Sequence, residues 1–271
     1  MESVVERTKD TLQGFTRKEI NVNGIKTVVY CAGKGTPLVY LHGSGTFPGF
    51  AFAQQWAKSF QVFVPYHPGF GESDDDPRIE SMQDYVLHYL DLFDQLKIDR
   101  MHLVGSSFGG WLAAEVALVQ QERLAGLTLI APGGLAITEP PSVDLFTVPP
   151  AKFLSYLVND QDCLKPFLPQ GHDLEFMALR YRETTSTARL TWENPAGNRK
   201  LAQWLHRIRT PTLLLWGERD RIKPVRQAEI WQDLLLNAQL EVVPSVGHLV
   251  LEERPEAAEI VSRFFAKAEK A

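Results

Sequence analysis

Short apolar runs recur along the first half of the chain, separated by turn-rich stretches and by segments with helical spacing. Residues 16–22 and 25–31 are β-rich runs joined by Asn23-Gly24. Both residues of that pair tolerate positive φ, so the spacing predicts a hairpin. Residues 38–41 form a short, wholly apolar strand; a helix is expected over 52–59 and a strand over 62–65. Between Ser81 and Leu96 the apolar residues fall at Met82, Tyr85, Val86, Tyr89, Leu90, Phe93 and Leu96. That is helical spacing, and Ser81 with Asp84 has the form of a capping box. Residues 101–104 and 127–130 are apolar enough for buried strands, and 111–118 between them has few helix breakers.

This order breaks after Ala131-Pro132-Gly133-Gly134. Residues 135–206 hold many prolines, scattered aromatics and short helical stretches, with no strand of the earlier kind. They are expected to form a helical cap inserted into a core made of 1–134 and 207–271. Regularity returns with the strand Pro211–Trp216, a helix over 227–236, a last strand over 240–243 and a terminal helix over 255–267. Pro255 suits the first turn of that helix. Alternating strands and helices imply right-handed crossovers, so the expected class is α/β, with a mostly parallel, eight-stranded sheet covered on both faces. No internal repeat or low-complexity tract interrupts it.

Composition narrows the partners. The chain has 271 residues, 44% hydrophobic, enough for one large domain with a sizeable insertion. A net charge of −5 with no basic cluster excludes nucleic acid as an expected partner. The run Asp74-Asp75-Asp76 reads as a solvated loop. Cys31 and Cys163 are far apart and outside any Cys-x-x-Cys pair, which fits a reducing compartment. Residues 1–10 lack the apolar core of a signal peptide, and no apolar run reaches membrane-span length. The expectation is a soluble, cytoplasmic protein without a membrane partner; its oligomeric state stays open.

The chemistry gathers at Gly105-Ser106-Ser107-Phe108-Gly109, a Gly-x-Ser-x-Gly pattern placed where a strand turns into a helix. Asp220 and His248, like Ser107, fall just past the C-terminal end of a predicted parallel strand, the edge of an open sheet where sites form. A serine hydroxyl is a weak nucleophile until a base accepts its proton and an acid orients that base. Glu218 competes with Asp220 for the orienting role, and Glu139 is a remoter choice. His42 reads as structural. His67 stands just before the Pro68-Gly69-Phe70-Gly71 turn and also reads as structural, with a place at the border of the pocket as the alternative; His88 and His102 are incidental. His172 and His206 have no metal-ligand spacing, so no metal is expected. His42-Gly43-Ser44-Gly45 lacks the Lys-Ser/Thr ending of a phosphate loop, so no nucleotide and no cofactor are expected.

Five pieces in order carry a family resemblance: His42-Gly43-Ser44-Gly45, Pro68-Gly69-Phe70-Gly71-Glu72-Ser73, Gly105 to Gly110, Trp216-Gly217-Glu218-Arg219-Asp220, and Gly247-His248. The chain resembles a capped α/β-hydrolase over nearly its whole length. The resemblance implies Ser107 as nucleophile, His248 as general base and then acid, and Asp220 as orienting carboxylate. It implies an oxyanion hole from the backbone N–H groups of Ser44 and Phe108. Serine rather than aspartate at the elbow argues against dehalogenase and epoxide hydrolase chemistry. The expected reaction is hydrolysis of small to medium, largely apolar carboxylic esters through an acyl-enzyme. Carbon–carbon bond hydrolases of vinylogous diketones and lactonases are the alternatives, and a non-catalytic small-molecule receptor on the same fold is a further one. The resemblance to carbon–carbon hydrolases also implies an arginine and aromatics from the cap side that grip a carboxylate, for which Arg180, Arg182, Arg189 and Trp192 are candidates. The cap aromatics Phe146, Phe153, Tyr156, Phe167, Phe176, Tyr181, Trp192 and Trp204, with Met177, are expected to supply part of an apolar pocket wall.

Overall fold

A computed structural model describes residues 3–193, 195 and 197–269. Its strands are β1 (Thr16–Val22), β2 (Ile25–Ala32), β3 (Pro37–Leu41), β4 (Gln61–Pro65), β5 (Met101–Ser106), β6 (Leu124–Ile130), β7 (Thr212–Gly217) and β8 (Ala238–Val243). They form one sheet in the order β1-β2-β4-β3-β5-β6-β7-β8. β2 pairs antiparallel with β1 and β4, and every pair from β4-β3 to β7-β8 is parallel. Asn23 and Gly24 close the β1-β2 hairpin with φ of 53° and 90°, the positive values that pair of residues accepts.

The helices are α1 (Val4–Asp10), α2 (Ala53–Trp56), α3 (Met82–Gln95), α4 (Phe108–Gln120), α5 (Phe153–Leu157), α6 (Leu174–Thr191), α7 (Arg226–Leu234), α8 (Val250–Glu253) and α9 (Ala258–Ala268). Successive strand residues point to opposite faces, so each strand feeds two cores. From β3, Val39 and Leu41 join the core under α3, α4 and α7, while Leu38 and Tyr40 join the one under α2 and α9. β7 divides likewise, Leu214 and Trp216 to the first core and Leu213 and Leu215 to the second. This two-sided burial is why the central strands are apolar throughout rather than alternating. Ser81 caps α3 with both bonds of the capping box.

Two local expectations change, and one segment for which no element was expected is helical. The helix expected over 52–59 is only α2, Ala53–Trp56, followed by turns. The charged N-terminal segment forms α1, which buries Val4 and Thr8; Arg7 donates to the carbonyls of Pro166 and Leu168. Between β6 and β7, residues 174–191 form one continuous 18-residue helix rather than short pieces. No apolar stripe announces α6, because the residues it buries are Glu183 and Ser186. Its fully buried contacts are polar, and Phe176 and Leu190 add partly buried apolar ones. Among the described residues no helix is long and apolar enough to cross a membrane.

Candidate active site

Ser107 is the corner residue between β5 and α4, with φ 52° and ψ −110°, a conformation that costs a non-glycine residue of order 1–3 kcal/mol. Its backbone is held in place: its N–H donates to Ile130, and its carbonyl accepts from Trp111 and Gly133. The flanking glycines are steric requirements. A Cβ on Gly105 would lie 2.2 Å from the Gly109 carbonyl oxygen, and one on Gly109 would lie 2.1 Å from that of Leu41. The Ser107 side chain makes no capping bond to α4, so its hydroxyl is not used by the helix. A Cβ on Gly43 would lie 3.6 Å from the Ser107 Cβ, which puts residues 42–45 against the elbow. Ser44 and Phe108 line one cavity with Ser107. Neither backbone N–H donates to an acceptor among the described residues.

His248 and Asp220 are brought together from opposite ends of a 28-residue separation. His248 Nδ1 lies 2.8 Å from Asp220 Oδ2, and both side chains are buried. Asp220 Oδ1 accepts from the N–H groups of Ile222 and Lys223, each at 2.8 Å. With the carboxylate as acceptor, Nδ1 carries the proton and Nε2 is left as the basic nitrogen. Ser107 and His248 line the same cavity, with no hydrogen bond between them among the described residues. Of the three acids left open, Asp220 alone reaches His248. Glu218 accepts from the Ser245 N–H and pairs with Arg219, and Glu139 is exposed.

His42 and His67 support the loop beside Ser107, and neither borders the cavity. The His67 N–H donates to His42 Nε2, so His42 Nδ1–H donates to the Gly43 carbonyl at 2.7 Å. His67 Nε2–H donates to the His42 carbonyl at 2.8 Å, and its Nδ1 accepts from the Tyr89 hydroxyl. All four ring nitrogens are matched only when both rings are neutral. Burial pushes His42 down to about 3, and burial, with the neighbouring His42, pushes His67 well below the ordinary value. The unfolded rings titrate near 6.5. Their stabilising contribution is therefore complete above pH 6.5 and is lost as pH falls toward the folded values. Urea unfolding at pH 7 and pH 4.5 should show a drop of about 2–3 kcal/mol from His42 alone. A flat profile across that window would mean that the folded rings take up protons. His88, bonded to Thr27, and His102, stacked on Phe265, lie in the body of the core; His172 and His206 are exposed.

Ser107 stands between two lobes of cavity. The larger, about 180 Å³, runs under Phe146, Phe153, Trp111 and α6 and includes Lys223. The smaller, about 50 Å³, holds His248, Leu249, Phe47 and Glu252. Of the nine large cap residues, some of which were expected to supply part of the wall, Phe146 and Phe153 line these lobes. Met177, Tyr181, Trp192 and Trp204 are exposed, and Phe176 packs on Phe47. Of the candidate arginines, Arg180 alone lines both lobes. Arg182 donates to the Gly71 carbonyl and Arg189 pairs with Asp75.

Glu183 escaped the sequence reading. Fully buried on α6, it accepts from the Thr46 N–H and hydroxyl and from the Gly71 N–H, and it pairs with Arg180 at 3.1 Å. One carboxylate thus ties α6 to both loops that flank the elbow. In sequence the Arg180–Glu183 pair reads as an ordinary solvated i,i+3 pair, so no signal marked it. Lys223 and Glu252 escaped for a similar reason: each sits in a charged, loop-like stretch.

The model of the family described as "Alpha/beta hydrolase family" matches residues 38–259. A 2-hydroxymuconate semialdehyde hydrolase of Pseudomonas sp. strain CF600 is 30% identical, over 94% of this chain and 95% of that protein. A 2-hydroxy-6-oxo-2,4-heptadienoate hydrolase of Pseudomonas putida is 27% identical, over 90% and 94%. The naproxen esterase of Bacillus subtilis superposes with a TM-score of 0.76 at 23% identity, over 98% of this chain and 99% of that one.

Proposed function

Because the chain belongs to the alpha/beta hydrolase family, we propose that it is a serine hydrolase of carbon–carbon bonds in vinylogous diketones, of the 2-hydroxy-6-oxo-dienoate type. The ester reading takes second place. A relative that covers 90% of the chain is named for such a dienoate, whereas the likeness to an esterase rests on fold. The observation that carries the choice is Arg180. It is a cation lining both lobes beside Ser107, where a neutral ester has no use for it and a dienoate has a carboxylate to offer.

In this scheme residues 135–206 are a cap over the core of 1–134 and 207–271, and no cofactor takes part. The substrate reacts as its keto tautomer, with a carbonyl conjugated through the chain to the C6 ketone's neighbouring carbon. His248 Nε2 accepts the Ser107 proton while Oγ attacks C6. The Ser44 and Phe108 N–H groups receive the oxygen that becomes negative, two donors aimed at developing charge. The C5–C6 bond then breaks, and its electron pair delocalises into the conjugated carbonyl instead of leaving as an alkoxide. His248 returns the proton to the departing dienolate, which becomes the 2-hydroxydienoate. Water, activated by the same nitrogen, hydrolyses the acyl-Ser107 ester. One water is consumed, and a carboxylic acid and a 2-hydroxydienoate are released.

The test compares kcat/KM for a 2-hydroxy-6-oxo-dienoate and for p-nitrophenyl butyrate. The dienoate should be favoured by at least about 100-fold, the sum of a charge-assisted contact and a stabilised carbanion. A preference for the ester restores the esterase reading. Arg180→Gln should lower the dienoate-to-ester ratio about 10- to 100-fold, the worth of one charged hydrogen bond. An unchanged ratio would remove Arg180 from the substrate site.

A further inference from the structure

Hydrolysis of the acyl-Ser107 ester needs a water within reach of both His248 and the acyl carbon. Of the two lobes beside Ser107, only the smaller is lined by His248. That lobe measures about 50 Å³, enough for a few waters and small beside the 180 Å³ of the other. Much of its wall is apolar, from Phe47, Leu145, Phe153, Leu157 and Leu249. Two of its side chains carry a base: the imidazole of His248 and the carboxyl of Glu252. A held water needs about two to four polar partners, and these two bases face one lobe.

Both bases come from one short, fixed stretch. The Leu249 N–H donates to the Leu157 carbonyl at 2.9 Å, and α8 begins at Val250, which is buried with Leu251. Glu252 follows on α8. Its neighbour Glu253 is spent on structure: its oxygens accept from the N–H groups of Gly247, Asn159 and Asp160 at 2.8, 2.9 and 2.7 Å. Nothing of that kind holds Glu252. Its carboxyl meets its own backbone N–H, and no other hydrogen-bond or ion-pair partner reaches it among the described residues. Burial pushes it up to about 7, against the pull of that N–H. At neutral pH it is divided between acid and carboxylate, and each form keeps an oxygen that accepts a hydrogen bond. An enclosed polar group is normally bonded, and a water is a partner the lobe has room for.

We propose that Glu252 positions the hydrolytic water, the smaller lobe being the water site of deacylation while the larger takes the substrate. The proposal rests on the acyl-Ser107 intermediate, which the carbon–carbon and ester readings share. A Glu252 oxygen accepts one hydrogen of the water and His248 Nε2 accepts the other, which leaves a lone pair aimed at the acyl carbon. Holding the water in that orientation removes the entropy cost of finding it. Nε2 takes the proton as the water oxygen bonds to the acyl carbon. The bond from that carbon to Ser107 Oγ then breaks, and Nε2 gives the proton to Oγ. A carboxylic acid leaves and the serine is restored. Glu252 thus acts on the second half-reaction and has no part in the first.

The experiment separates the two half-reactions on p-nitrophenyl butyrate. Acid quenching at steady state, read by intact mass, gives the ratio of acylated to free protein. Release of p-nitrophenolate with protein in excess gives the acylation rate alone. Glu252→Leu should raise the acylated-to-free ratio about 10- to 100-fold, the worth of one hydrogen bond to a charged group, and leave the acylation rate within about twofold. Glu252→Gln, whose amide oxygen still accepts from water, should recover most of the loss. Glu252→Met is the second apolar variant should the Leu variant not fold. An unchanged ratio overturns the proposal. So does an equal fall in both half-reactions, which would make Glu252 a support of His248. A change confined to acylation that varies with acyl length would place the acyl chain in the smaller lobe and overturn it as well. A fluorophosphonate distinguishes the failures. If it labels Ser107 while the ratio ignores Glu252→Leu, only the water site has failed. If it leaves Ser107 unlabelled in a protein that turns over the ester, the acyl-enzyme has failed too.

Discussion

Replacing Ser107 by alanine is expected to leave a folded protein whose kcat has fallen by about 10⁴- to 10⁶-fold, since nucleophile and base act as a unit and the loss of one removes the advantage of both. The fold should survive because the hydroxyl takes no part in it: it neither caps α4 nor bonds within the core. The backbone strain at φ 52° remains in the alanine variant, so melting should shift little. Ser107→Gly provides an internal control. It should be equally inactive yet more stable by about 1 kcal/mol, because glycine accepts positive φ without a Cβ penalty. A fluorophosphonate should label Ser107 in the unmodified protein and nothing in either variant. Substantial turnover by Ser107→Ala would sink the assignment, whichever bond the enzyme cuts.

Asp220→Asn should lower kcat by about 10⁴, following the serine protease precedent for the same substitution. The reason lies in which nitrogen of His248 holds the proton. Asp220 Oδ2 accepts from Nδ1 at 2.8 Å and leaves Nε2 basic. An asparagine can present its amide N–H there instead, which moves the ring proton to Nε2 and removes the base. The other carboxylate oxygen accepts two backbone N–H groups, and an asparagine oriented to keep those bonds is the one that turns its NH₂ toward the histidine. Glu218→Gln should cost less than tenfold. Glu218 contacts the Ser245 N–H and Arg219 at the surface and never reaches His248. Steady-state kinetics on the two variants decide the matter, and the reverse ranking would transfer the orienting role to Glu218.

The strand–helix alternation, the hairpin at Asn23-Gly24 and the elbow at Ser107 were legible because each depends on local chemistry. Apolar runs, positive-φ residues and steric need for glycine act over a few residues and leave their mark in the order of the chain. The placement of Asp220 and His248 was legible for the same reason: each follows its strand directly, and parallel strands carry their C-terminal ends to one edge. What order alone left open was which acid reaches the histidine. Glu218 and Asp220 are two residues apart, and only the backbone path after β7 turns one inward and the other to the surface.

Sequence by itself thus determined the class of fold, the nucleophile candidate and the edge of the sheet where the site lies. Tertiary structure decided the rest of the cavity. The nine large cap residues looked alike in sequence, yet of them Phe146 and Phe153 line the cavity beside Ser107, since side-chain direction in an irregular segment is set by what it docks against. Arg180, Arg182 and Arg189 share one helix, and the rotation of α6 separates a cavity cation from two that hold loops. That rotation is fixed by Glu183, a buried carboxylate bonded to loops more than a hundred residues away in the chain. Lys223 likewise reads as a solvated loop residue until the cap closes over it. A charged side chain carries no mark of its own burial. Whether it is solvated, paired or waiting for a ligand depends on the partners the fold brings to it.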